Sequence, residues 1–66
     1  MNPHQESYST AKELVDQHGL EDAAAYAVHQ IARLYEQKDF YELSIWREIR
    51  KAIAEMAAAT TEERKE

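Results

Sequence analysis

Apolar residues recur along this chain at helical spacing in three runs, separated by two short breaks. In the first, Tyr8, Ala11, Leu14, Val15 and His18 share one side at about 100° per residue. The second carries Ala24, Ala27, Val28, Ile31, Leu34 and Tyr35, and the third Leu43, Ile45, Trp46, Ile49, Ala52, Ile53, Met56 and Ala57. These runs predict helices over about residues 8–18, 21–37 and 40–59.

Local signals sharpen the boundaries. Thr10 and Glu13 have capping-box spacing, and Ser7 is a competing cap one turn earlier. Gly19 is the only glycine. It suits the left-handed position that ends a helix, with Leu20 folding back on Val15 as in a Schellman motif. Glu21 and Asp22 then place negative charge in the first turn of the second helix, where the macrodipole favours it. Asp39 and Glu42 form a second capping-box pattern, so Lys38-Asp39 is a very short link between antiparallel helices. The predicted fold is all-α: a short N-terminal helix packed on a long antiparallel α-hairpin. Residues 1–6 are expected to be loose, 7–59 to form one helical domain, and the polar tail 60–66 to fray.

The third run spans nearly half of its helix circumference. One short hairpin partner would not cover it, so Leu43, Ile45, Trp46, Ile49, Ile53 and Met56 are expected to meet a second chain. Length strengthens this expectation. A chain of 66 residues without cysteine has room for one small core and neither a disulfide nor a thiolate metal site to staple it. A homodimer is therefore predicted.

Charge and composition exclude other classes. With 13 acidic against 8 basic residues the net charge is −5, which argues against the phosphate backbone as a default partner. No apolar run reaches membrane-spanning length and no signal-peptide core opens the chain, so a cytoplasmic location is expected by elimination.

Candidate chemistry is sparse. Gly19 separates His18 from Asp22 and breaks their one-face geometry; His4 lies in the expected tail, and His29 lacks convergent carboxylates. The pairs Glu21/Asp22 and Glu62/Glu63 have no apolar pocket to split their acidities. Ser7, Ser9, Thr10 and Ser44 have no His–Asp arrangement beside them. No enzyme, cofactor or metal site is expected. A partner surface is the better candidate. Tyr26, Gln30, Arg33 and Gln37 recur on the side of the second helix opposite its apolar run, flanked by His29, and Tyr and Arg are enriched at binding hot spots. Arg47, Arg50 and Lys51 cluster beside Trp46, with Glu48 and Glu55 interleaved so that a salt-bridged exposed face is the simpler reading. The function expected is a non-catalytic protein-interaction module or small regulator that self-associates. The alternatives are a dimeric DNA-associated regulator using that basic patch, and an acidic mimic of nucleic acid that inhibits another protein.

The stretch His18-Gly-Leu-Glu-Asp-Ala-Ala-Ala-Tyr-Ala, followed by Lys38-Asp39 and by Trp46-Arg-Glu-Ile-Arg-Lys-Ala-Ile53, resembles a group of short uncharacterised bacterial proteins. They pair an "HG…A…A" helix start with a later "W…I…AI" helix. The resemblance covers roughly residues 11–56 and rests on packing residues. It implies a small all-helical bacterial protein and no particular activity.

Overall fold

A computed structural model describes the backbone of residues 3–64 and the side chains of residues 6–60. Three helices account for the described chain: α1 (Pro3–His18), α2 (Leu20–Gln37) and α3 (Phe40–Arg64). The architecture is the expected one, with α3 packed along both α1 and α2 and these two touching each other less. At 25 residues, α3 is about 37 Å long at 1.5 Å per residue. It sets the 43 Å long dimension of the molecule.

Two boundaries differ from the sequence-based expectation. Helix α1 starts at Pro3, at least one turn before Ser7. Proline suits a first helical turn because its missing N–H has no partner there in any case and its φ is already helical. Ser7 does not cap; it lies inside α1 and is only 5% exposed. Of the segment expected to be loose, residues 3–6 are thus helical, and Met1 and Asn2 lie outside the described residues. Helix α3 likewise continues past Ala59 to Arg64. Ala57, Ala58 and Ala59 favour helix, and the Thr60 hydroxyl donates to the Met56 carbonyl at 3.0 Å. The expected fraying of the tail therefore has no counterpart up to Arg64, while Lys65 and Glu66 lie outside the described residues.

The Schellman geometry expected at one link occurs at the other. Gly19 does end α1, but with φ 89° and ψ 162°. That is the mirror-extended region open almost solely to glycine, not the left-handed helical conformation of a Schellman cap. Its N–H donates to the Val15 carbonyl at 2.8 Å and its carbonyl accepts from Ala23 at 2.9 Å, so one residue closes α1 and opens α2. The Schellman motif sits at the other link. Lys38 takes the left-handed conformation at φ 61°, ψ 31°. The Lys38 N–H donates to Tyr35 at 3.1 Å, and the Asp39 N–H to Leu34 at 3.0 Å, the paired bonds of that motif. Asp39 then caps α3: its carboxylate accepts from the Glu42 N–H at 3.3 Å. Because the Asp39 N–H already bonds Leu34, Glu42 has no donor to reach back to, and the capping box is one-sided.

The core is built largely from small side chains. Ala11, Ala23, Ala27, Ile49, Ala52 and Ile53 form the buried cluster, with Leu14, Val15, Leu20, Ala24, Ile45, Trp46 and Met56 packed around it. Four alanines in this cluster let helix backbones approach closely, as ridge-into-groove packing at short interaxial distance requires. Leu34 and Leu43 are buried nearer the hairpin turn. No buried side-chain nitrogen or oxygen lacks a hydrogen-bond partner among the described residues.

The α2 stripe is rotated from its expected position. Ala23, Ala27 and Leu34 are buried, whereas Val28 is 47% exposed and Tyr35 64%. The arriving α1 claims the Ala23 side, which turns the buried arc away from Val28 and Tyr35.

The links yield two predictions. A Cβ on Gly19 would meet nothing within 4 Å, so Gly19→Ala carries only the backbone penalty. It should destabilise by about 1–3 kcal/mol. Lys38→Gly should instead stabilise by about 0.5–1 kcal/mol, because glycine removes the left-handed cost at that position. Urea unfolding monitored by helical circular dichroism measures both; equal midpoints for the two variants would contradict this account.

Candidate interaction surfaces

The six residues expected to meet a second chain are mostly covered within one. Leu43, Ile49 and Ile53 are buried, and Ile45, Trp46 and Met56 are half-buried. The physical reason is that α3 has two neighbours. Tyr8 of α1 lines a cavity with Glu48, Lys51, Ala52 and Glu55 of α3, which puts α1 on the Ala52 flank. Tyr26 of α2 meets Trp46 on the other flank, edge to face, with ring centroids 5.6 Å apart and planes at 65°. The breadth of the α3 stripe is therefore shared between α1 and α2. Within one chain, little of the α3 stripe is thus left for a partner.

The second candidate set also changes place. Tyr26 and Gln30 do not lie opposite the buried side of α2. Gln30 is half-buried, and Tyr26 is partly exposed while its ring packs on Trp46. His29 and Arg33 are exposed. Two residues assigned to separate surfaces, Tyr26 and Trp46, form one aromatic pair. Such a pair contributes about 0.5–1.5 kcal/mol beyond its buried area.

The basic cluster divides in two. Lys51 lies with Glu48 and Glu55 around the cavity beneath Tyr8. Arg47 and Arg50 are exposed. Their helical neighbours at i±3 and i±4 are Leu43, Ser44, Trp46, Arg47, Arg50, Lys51, Ile53 and Ala54, none of them acidic. Neither glutamate lies three or four residues from Arg47 or Arg50, so the two arginines are outside helical pairing distance of them.

The surface that sequence reasoning missed lies on the far side of the hairpin. In an antiparallel pair, the flank of α2 that shares a side with Ala52 of α3 is the one bearing Ala23, Tyr26 and Gln30. That groove of the hairpin is the one α1 occupies. The opposite groove presents Val28, Ile31 and Tyr35 from α2, with Arg47, Arg50 and Ala54 from α3 and Phe40 near its turn. Val28 and Tyr35 are exposed as above, Phe40 is 61% exposed, and Ile31 is half-buried. No described helix covers it. The signal was present as the i, i+7 pair Val28–Tyr35 at the margin of the α2 stripe. What was missing was the direction from which α1 arrives.

Two depressions adjoin Tyr8. The cavity beneath Tyr8 measures about 20 Å³, room for one water. A second depression of about 350 Å³, beside Tyr8, Met56 and Ala59, is open to solvent. Among the described residues no three His, Asp or Glu side chains converge as a metal site would require. His18 and His29 are exposed, and the His4 side chain lies outside the described residues. No described helix is long and apolar enough to cross a membrane. Comparisons with protein-family models, with curated proteins and with solved structures returned no match.

The aromatic pair is directly measurable, because Trp46 is the only tryptophan. Tyr26→Ala should move Trp46 emission to longer wavelength and destabilise the fold by about 1 kcal/mol. Emission identical to that of the parent protein would mean the two rings do not meet in solution.

Proposed function

We propose that this protein is a non-catalytic helical interaction module that self-associates through the groove of the hairpin left open by α1. One observation carries the reading: Val28, Tyr35 and Phe40 are large, exposed and on the same side of the hairpin, where no described helix covers them. Scattered exposed apolar residues are ordinary, whereas a contiguous group on one face marks a contact surface.

Magnitudes set the strength expected of that contact. Aromatic side chains bury roughly 150–250 Å² each, so the exposed parts of Tyr35 and Phe40 offer about 100–150 Å² apiece. With Val28, Ile31 and the flanking alanines, the apolar contribution is on the order of 400 Å² per copy. Stable interfaces bury about 800 Å² per partner, and smaller ones are weak or transient. Association in the micromolar range or weaker follows, a strength suited to reversible regulation.

A second copy is favoured as occupant because each groove carries both signs of charge at its edges. Sedimentation analysis over a concentration series is the test. The parent chain should pass from one-chain to two-chain mass as concentration rises, and Val28→Glu/Tyr35→Glu should stay at one-chain mass with unchanged helical content. A parent protein that holds the mass of one chain throughout refutes the reading.

A further inference from the structure

The open groove has an asymmetric rim. Along α2, the exposed carboxylates Glu21 and Glu36 lie outside the Val28–Tyr35 strip; along α3, the exposed guanidinium groups of Arg47 and Arg50 lie beside Leu43 and Ala54. One edge of the face is acidic and the other basic, with apolar side chains between them.

Resting on the self-association reading, we infer that two copies dock groove to groove with α2 of each lying antiparallel over α3 of the other, acidic edge on basic edge. The two-fold axis then runs along the hairpins, and both hairpin turns point the same way. The argument is one of elimination between two isologous packings, since a two-fold contact uses the same patch on both copies. With the axis across the hairpins, α3 would lie on its own copy. Four guanidinium groups would gather at the centre, and Glu21 of one copy would face Glu36 of the other. Like-charge juxtaposition across an interface costs several kcal/mol. With the axis along the hairpins, every Arg47 and Arg50 faces a partner's α2 edge. These are also the arginines with no acidic residue three or four positions away on their own helix. The same packing brings Tyr35 of each copy over the Phe40 end of the other, joining the exposed aromatic rings at one end. The small side chains of Ala25, Ala32 and Ala54 on the opposed surfaces permit close approach.

Charge reversal in single chains distinguishes the packings. Arg47→Glu/Arg50→Glu should weaken self-association by ~10-fold or more, because acidic edges then meet. Adding Glu21→Lys/Glu36→Lys to the same chain restores opposite edges and the parent net charge, and should return the dissociation constant to near the parent value. Trp46 emission and helical circular dichroism confirm that each variant is folded. An equimolar mixture of parent and Arg47→Glu/Arg50→Glu chains separates the alternatives further. The inferred packing expects no gain over the parent, whereas α3-on-α3 packing expects the mixed dimer to be the tightest. A tight mixed dimer, an arginine reversal without effect, or a four-site variant that stays dissociated overturns this docking while leaving self-association standing. A parent chain that never dimerises overturns both.

Discussion

Close approach of helix backbones at alanine governs this fold. Ala11 from α1, Ala23 and Ala27 from α2 and Ala52 from α3 meet in one cluster with Ile49 and Ile53. Small side chains yield little transfer free energy individually, but they let three helices share a core that longer residues would hold apart. Everything else is arranged around that meeting. Trp46 and Tyr26 close one flank of α3, Tyr8 lies over the other, and α2 is rotated until Ala23 is fully buried and Ala24 only partly so. Replacing any one of these alanines with a larger residue would drive the helices apart, a cost of about 1–3 kcal/mol for overpacking.

That rotation connects the core to the surface. Because α1 enters on the Ala23 side, Val28 and Tyr35 are carried out of the interior. Among the described residues a single helix, α1, remains to cover a hairpin that has two grooves. One is filled from within, and the other is left to whatever the surroundings supply. The exposed apolar residues on this side are Val28 and Tyr35 of α2 with Phe40 of α3, and not the α3 stripe itself.

Much of the fold was legible in the sequence. The three apolar runs located the helices, Gly19 and Asp39 located the links, and the brevity of Lys38-Asp39 dictated an antiparallel hairpin. The start of α1 was less legible, because Ser7 and Thr10 mimic caps while sitting in the helix interior, and Pro3 was taken for a tail residue. The Schellman motif was assigned to glycine by preference, yet the bonds to Leu34 and Tyr35 hold a lysine in the left-handed conformation. The candidate surfaces were the least legible. Periodicity tells which residues share a face of one helix, but not which neighbour that face will meet. Thus Leu43, Ile49 and Ile53 looked like interface and proved interior. Val28 and Tyr35 looked interior and proved exposed.

Gly19 has a topological consequence. A single residue joins two hydrogen-bonded ladders, with Val15 bonded on one side of it and Ala23 on the other, so two torsion angles alone set the elbow between α1 and the hairpin. There is no slack strand to swing out, and exchange of α1 between molecules by domain swapping, which relies on a hinge loop, has no lever. The elbow has one other stereochemical option, relaxation of Gly19 into helical torsions. That would fuse α1 and α2 into one rod about 50 Å long at 1.5 Å per residue, stripping the alanine cluster of a wall. Release of α1 from its own hairpin therefore requires loss of that cluster.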